Sequence, residues 1–101
     1  MRRKYIVGNW KMNGMRASIG EAQAIADAAK QHPGVDVALC PPFTLVAGLA
    51  FAMQDFTIGA QDCHAKASGA YTGSVSAEML ADARAKLVIV GHSERREGCG
   101  E

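Results

Sequence analysis

Four short apolar runs recur along the chain, separated by longer stretches with helical periodicity or turn-forming residues. The runs are residues 4–10, 35–40, 56–61 and 87–90. The second run stops at Pro41-Pro42, because proline cannot continue an internal ladder. The last is continuously apolar, a pattern typical of a strand covered on both faces. We therefore predict four β-strands and expect the first also to be a buried strand, followed by a turn.

Three helices are predicted between these strands. The first begins at Ser18, with Glu21 three residues later as in a capping box, and stops at Pro33. The second covers residues 44–53, which are apolar nearly all round, so we expect a buried helix. The third begins at the N-cap Ser76. The positions expected to face inward are Ile19, Ala22, Ala26 and Ala29 in the first helix, and Ala77, Leu80 and Ala81 in the third.

The element order βαβαβαβ indicates an α/β fold with a parallel sheet, since the strands begin roughly 20 to 30 residues apart, the span of a right-handed crossover unit. We expect residues 1–101 to form one domain, the opening half of a parallel α/β barrel. Four strands alone would leave open edges and an uncovered inner face, which predicts exposed apolar surface and association. The alternative, an open flavodoxin-like sheet, needs a phosphate loop after the first strand, and residues 12–16 make a poor one.

Composition narrows the class of protein. Hydrophobic residues make up 49% of the chain, enough for a packed core. The formal net charge is +1 and no basic run extends beyond residues 2–4, so nucleic-acid binding is not indicated. The longest apolar run, residues 45–53, is too short to span a bilayer. The three cysteines form no C-x-x-C pair, so we expect reduced thiols in a cytoplasmic protein.

Candidate chemistry lies just after each apolar run, because parallel α/β folds bind ligands at the carboxyl ends of their strands. Lys11 follows the first strand, where its ammonium would lose water and need a carboxylate or a ligand anion. A lysine that extends to solvent fits the spacing equally well. Asn9 lies on the same strand face and could hold a substrate oxygen, hold the Lys11 side chain, or only begin a turn.

His92 follows the fourth strand directly, at a plausible helix start. An imidazole that accepts a backbone N–H there would stay neutral and offer its other N–H as a donor. The alternative is a histidine held in a strand-end network. Glu94 could pair with Lys11 and hold its ammonium, or be an ordinary acid in the first helical turn.

Neither a metal nor a cofactor is indicated by the sequence. Asp62, Cys63 and His64 are adjacent and cannot all point at one ion, and no spaced second cluster completes a tetrahedron. No G-x-G-x-x-G or Walker A pattern follows any strand, so nucleotide binding has no support.

Several motifs in one order resemble triosephosphate isomerase nearly end to end. They are GNWKMN at 8–13, CPPF at 40–43, GAQ at 59–61, SGAYTG at 68–73, SAEM at 76–79 and VGHSERR at 90–96. The resemblance implies a parallel (βα)8 TIM barrel, of which this chain would form the first half. It also implies an enzyme of glycolysis and gluconeogenesis that interconverts dihydroxyacetone phosphate and glyceraldehyde 3-phosphate without cofactor, by proton transfer through an enediolate.

The same resemblance assigns roles to individual residues. His92 would be the neutral electrophile that polarises the substrate carbonyl, and Lys11, with Asn9 beside it, would bind the phosphate and the developing oxyanion. Glu94 would contact these groups and would not contact substrate itself. Thr72 and Met12 would lie in the contact between the subunits of a homodimer of the full-length protein.

The chain departs from the family in length, since family members have about 250 residues and eight βα units. The glutamate base, the closing lid and the glycine-rich phosphate loops have no match in these residues. We therefore expect the chain alone to be a poor enzyme. A different class of function is also open, a non-catalytic half-barrel that assembles through its strand edges and the loop at 62–75.

Overall fold

The computed structural model describes residues 3–92, and its centre is a parallel sheet of three strands. These are β1 (Lys4–Asn9), β2 (Val35–Cys40) and β3 (Thr57–Ile58), in the order β1-β2-β3. β1 and β2 pair along their whole length, with Lys4 opposite Val35 and Asn9 opposite Cys40. The parallel sheet is confirmed, and β2 has the predicted bounds. β1 ends one residue early, and β3 is two residues long, shorter than the predicted 56–61.

Three helices follow the strands in the predicted order. They are α1 (Ile19–Ala29), α2 (Phe43–Ala52) and α3 (Ala77–Asp82). Ser76 caps α3, because its hydroxyl accepts the backbone N–H of Met79 at 3.1 Å. Within residues 3–92 no helix combines the length and hydropathy needed to cross a membrane.

The start of α1 differs from the predicted capping box of Ser18 and Glu21. A 3₁₀ turn, Arg16–Ser18, precedes the helix, and Ser18 occupies the N-cap without a side-chain cap hydrogen bond. Its hydroxyl accepts instead from the backbone N–H of Met15 at 3.1 Å. The predicted capping box is wrong, because the extra turn directs the Ser18 hydroxyl back to the preceding loop.

The hydrophobic core lies between the sheet and the three helices. Its fully covered side chains include Ala22, Ala26, Leu39, Leu45, Val46, Leu49, Ile58 and Leu80. Each buried leucine or isoleucine contributes about 1.5–3 kcal/mol through area removed from water. The predicted inward stripe of α1 is confirmed for its two central alanines, whereas Ile19 and Ala29 are only half-buried.

Two helices bury less than their sequences indicate. In α3 only Leu80 is buried, and Ala77 and Ala81 are exposed, because a helix of six residues presents little more than one turn to the core. The apolar α2 buries one face, whereas Phe51 is 74% exposed on the other. The expected burial of α2 on all sides is therefore wrong for this chain: nothing among residues 3–92 covers its outer face.

The fourth predicted strand is present only as a parallel bridge between Ala60 and Val88. The N–H of Ala60 donates to the carbonyl of Leu87 at 2.9 Å, and the N–H of Ile89 donates to the carbonyl of Ala60 at 3.0 Å. The segment therefore lies where a fourth strand was predicted. It is not covered on both faces, since Val90 is 66% exposed and no further strand pairs beyond it in the described residues.

β1 is an edge strand and not the buried strand that its apolar run indicates. Tyr5, Ile6 and Val7 are 52%, 57% and 39% exposed. Successive residues of a strand point to opposite faces, so both faces of β1 are open. The predicted open edge and exposed apolar surface are thus confirmed at this strand.

Candidate functional site

A cavity of about 300 Å³ lies at the carboxyl ends of the strands. It is lined by Asn9, Lys11, Met12, Phe43, Gln61, Asp62 and His92. Residues from the ends of four different strand segments therefore meet at one place, as the parallel topology requires. A larger groove of about 570 Å³ lies at the opposite end of the sheet and contains none of the predicted site residues.

Lys11 adopts a left-handed backbone conformation with a φ of 56°. Such a conformation costs a residue with a side chain about 1–3 kcal/mol, so neighbouring contacts must hold it. The N–H of Lys11 donates to Asn9 Oδ1 at 2.8 Å, and its carbonyl accepts from Gln61 Nε2 at 2.8 Å. Lys11 itself is exposed, so the expected loss of water around it is not found in this chain.

The sequence leaves three roles open for Asn9, and in the structure its side chain stabilises a turn of the main chain. Its carboxamide oxygen accepts from the main chain two residues later, the geometry of an Asx turn. This turn positions the backbone of Lys11 at the cavity. Asn9 also lines the cavity, so contact with a ligand remains available to it.

The turn after Lys11 also needs glycine at position 14. Gly14 has a φ of 120°, and a Cβ there would come within 2.9 Å of both the Trp10 ring and the Leu45 side chain. Asn13 closes the turn by donating to the carbonyl of Trp10 at 2.9 Å. The indole thus packs against the loop and helps fix the path of the chain around Lys11.

Gln61 connects the strand ends, a role that sequence reasoning did not assign to it. Its side-chain Nε2 donates to the carbonyl of Lys11 at 2.8 Å and to the carbonyl of Cys40 at 2.9 Å. Both partners only accept, so the orientation of the amide group is determined. The only signal in the sequence is the position of an amide side chain at the carboxyl end of a parallel strand, where neighbouring carbonyls need donors.

His92 is half-buried, and its imidazole contacts two main-chain carbonyls. Nε2 lies 2.5 Å from the oxygen of Gln61 and 3.1 Å from that of Ile89. Since carbonyls only accept, Nε2 carries a proton and donates it to both. This is the strand-end network weighed above as the alternative for His92. The other expectation, acceptance of a backbone N–H from a following helix, concerns residues beyond 92 and lies outside the described part.

The remaining predicted residues are only partly described. Glu94 lies outside the described residues. Met12 is 95% exposed at the rim of the cavity, and Thr72 is exposed on the long loop at 62–75. The loop is tied down near its ends, since His64 donates its N–H to Val75 at 2.8 Å. Both predicted dimer-contact residues are thus accessible at the surface of this chain.

Cys40, one of the two cysteines among residues 3–92, is buried and packs in the core. Burial of Cys40 in β2 raises the pKa of its thiol, and a hydrogen bond from the Gly59 backbone opposes this only in part. Cys40 is therefore a neutral packing residue. Across residues 3–92 no group of three His, Cys, Asp or Glu side chains is placed to hold a metal ion.

Comparison with known proteins decides the family. The family model described as triosephosphate isomerase matches residues 4–101. The chain belongs to the triosephosphate isomerase family. Among curated members, the enzyme of Afipia carboxidovorans is 58% identical and that of Bradyrhizobium sp. strain BTAi1 is 56% identical. Each match covers 98% of this chain and 41% of the relative, so the chain spans about two fifths of the length of these triosephosphate isomerases.

A solved triosephosphate isomerase has the same fold in the matching region. The crystal structure of the enzyme from Bartonella henselae superposes with a TM-score of 0.93 at 41% sequence identity. The match covers 99% of this chain and 42% of that one. The predicted fold class is confirmed: the three-stranded parallel sheet with its alternating helices is part of a TIM barrel.

Proposed function

We propose that the protein containing this chain is a triosephosphate isomerase that interconverts dihydroxyacetone phosphate and glyceraldehyde 3-phosphate. The reaction moves a proton between adjacent carbons through an enediolate and needs no cofactor. The observation that carries the proposal is the convergence of Asn9, Lys11 and His92 on one cavity in a chain of this family. We place the enzyme in the cytoplasm, in glycolysis and gluconeogenesis.

Lys11 would bind the substrate phosphate and stabilise the oxyanion that develops on the substrate. A cation fixed in advance at the place where negative charge develops lowers the barrier without reorganising during the reaction. The left-handed backbone of Lys11, held from both sides, supports this role because it determines where the side chain leaves the main chain. Asn9 would assist by keeping that turn in place.

His92 would donate the proton on Nε2 in a hydrogen bond to the substrate carbonyl. This electrophilic role of a neutral imidazole is the one established for the family's histidine. The carbonyls of Gln61 and Ile89 accept a hydrogen bond from Nε2, so this nitrogen carries a proton. This supports the tautomer that can donate from Nε2 to substrate. In the complex, the imidazole would exchange these main-chain acceptors for the substrate oxygen. Glu94 would then act on Lys11 without touching substrate.

Proton transfer also requires a general base, and the family resemblance implies that this base is a glutamate. Among residues 3–92, the one carboxylate that lines the cavity belongs to Asp62. The curated relatives are more than twice as long as this chain, and we propose that the region it does not span supplies the base. The chain alone is then a poor enzyme. The full-length protein would be a homodimer, with Met12 and Thr72 at the subunit contact.

Turnover of dihydroxyacetone phosphate by the protein expressed from its complete reading frame tests the proposal. We expect the substitutions Lys11→Met and His92→Gln each to lower kcat/KM by about 10²- to 10⁴-fold, as removal of an electrostatic or acid-base group does. Lys30→Met, which removes the same charge from the end of α1, should leave turnover unchanged. Activity that survives both site substitutions would overturn the assignment of roles.

The alternative function, a non-catalytic half-barrel that assembles with copies of itself, is favoured by one observation. The exposed side chains Tyr5, Ile6 and Val7 lie on an open strand edge, which is a template for pairing. Sedimentation of the purified 101-residue chain distinguishes the two. A well-folded dimer supports the assembly module, whereas an aggregating or unfolded chain supports its origin in a larger enzyme.

A further inference from the structure

One glutamine joins the two functional halves of the cavity through two different parts of the same residue. The side chain of Gln61 donates to the carbonyls of Lys11 and Cys40. Its main-chain carbonyl accepts the Nε2 proton of His92. Gln61 also lines the cavity. A single residue therefore contacts both the proposed anion-binding lysine and the proposed electrophile.

We propose that Gln61 is a positioning residue whose side-chain amide places Lys11 for binding of the substrate phosphate, while its main chain holds His92 until substrate binds. The inference rests on the proposed function and goes beyond it, because it assigns substrate binding and chemistry to separate groups of one residue. Gln61 acts through Lys11 and His92.

The amide is suited to this task by its chemistry. Two N–H donors on one nitrogen reach two carbonyl oxygens that belong to different strand ends. The lysine carbonyl lies in a left-handed residue, which is strained and relaxes when its contacts are lost. The Cys40 carbonyl already accepts the N–H of Trp10 at 3.1 Å, so the amide ties Lys11 to a rigid strand end.

The division between side chain and main chain predicts how the kinetic constants separate. Substitution of Gln61 removes the side-chain bonds to the lysine turn but keeps the main-chain carbonyl that holds His92. We therefore expect a change in binding that exceeds the change in chemistry. A purely structural role would lower stability and leave the affinity of the folded protein for substrate unchanged.

The first variant is Gln61→Met, which keeps the length of the side chain and removes both donors. In the full-length protein we expect KM for dihydroxyacetone phosphate to rise about tenfold or more, and kcat to fall by a smaller factor, because Lys11 also contacts the developing oxyanion. The control is Gln23→Met, which removes a glutamine amide that donates to Asp27 on the surface of α1. An unchanged KM in folded Gln61→Met overturns the proposal.

The second variant, Gln61→Glu, gives a pH profile and covers the case in which Gln61→Met fails to fold. An ionised carboxylate cannot donate to two carbonyls, whereas a protonated one supplies a single O–H donor. The ratio of its KM to that of the wild type at the same pH should therefore rise with pH. A ratio that is independent of pH contradicts the role of the donors.

A binding experiment separates failure of this inference from failure of the proposed function. If the wild-type protein does not turn over dihydroxyacetone phosphate, titration with inorganic phosphate still measures anion binding at Lys11. A loss of about tenfold in phosphate affinity on Gln61→Met supports the positioning role in the absence of turnover. Equal affinities, or no phosphate binding by the wild type, overturn it.

Discussion

β1 and β2 are alike in length and pairing, yet they differ in their surroundings. Each has six residues, and the two strands pair in parallel along their full length. In β2 the last three residues are at most 4% exposed, with α1 and α2 packed nearby. In β1 three successive apolar side chains, at positions 5–7, are 39–57% exposed. The difference arises because β2 has a neighbour on each side in the sheet, whereas β1 has one.

An apolar run is often taken to indicate two properties together, and β1 and β2 show that they are separate. The run indicates that a segment is extended and suited to a covered sheet. Whether the segment is covered depends on elements elsewhere in the chain. In this chain the same pattern therefore produces a core strand and an exposed edge.

The largest effect is expected from matched truncations in the two strands of the 101-residue chain. Leu39→Ala should lower the free energy of unfolding by about 3 kcal/mol, because it opens a cavity in the core. Ile6→Ala removes a side chain that is 57% exposed, so its cost should stay below about 1 kcal/mol. Urea denaturation followed by circular dichroism measures both. Equal losses would show that β1 is covered in solution.

Two glycines sharpen the contrast between covered and open positions and should respond with opposite sign. A Cβ on Gly59 would lie 2.5 Å from Leu87 Cδ1 and 2.9 Å from Cys40 Sγ, so Gly59→Ala should cost about 1–3 kcal/mol. Gly48 lies in α2 with nothing within 4 Å of the added atom, so Gly48→Ala should stabilise by about 0.5–1 kcal/mol. The same denaturation experiment applies, and a stabilising Gly59→Ala would contradict the close packing beside β2.

The smallest effect is expected at the ion pair that links the start of β1 to β2. Arg3 contacts Asp36 at 3.0 Å, and both side chains are about half exposed. The hydrogen bond from Arg3 lowers the pKa of the Asp36 carboxyl. A lowered folded-state pKa adds stability above the unfolded value of about 3.9, and this stability is lost as the pH falls through the folded value.

Arg3→Met should therefore change the melting temperature little at pH 7 and remove part of its decrease below about pH 4. Arg16→Met is the control, since it removes an exposed arginine from the turn before α1. Melting curves recorded from pH 7 to pH 3 supply the measurement. If the melting temperature falls equally with acid in the wild type and in Arg3→Met, the ion pair contributes nothing to stability.

Much of the site was predictable, because its placement follows from topology. Asn9, Lys11 and His92 each lie at the carboxyl end of an apolar run, and a parallel sheet brings such positions to one edge. The structure brings all three to one cavity. Gln61 ends the third apolar run and therefore lies at the same edge, but nothing in the sequence indicates its role. Its two side-chain partners lie 50 and 21 residues away and are main-chain carbonyls, which look the same in every residue of a sequence.

Local signals determined the elements of this protein, and long-range packing decided how they are used. The periodicity, the prolines at 41 and 42 and the serine cap at 76 establish the strands, the helices and their parallel order, since each acts within a few residues. The motifs at the strand ends also indicated the family. Only the tertiary structure decided that β1 is open, that the fourth strand is reduced to one bridge, and that Gln61 joins Lys11 to His92. These features depend on which distant backbone lies alongside, and that is settled when the chain closes on itself.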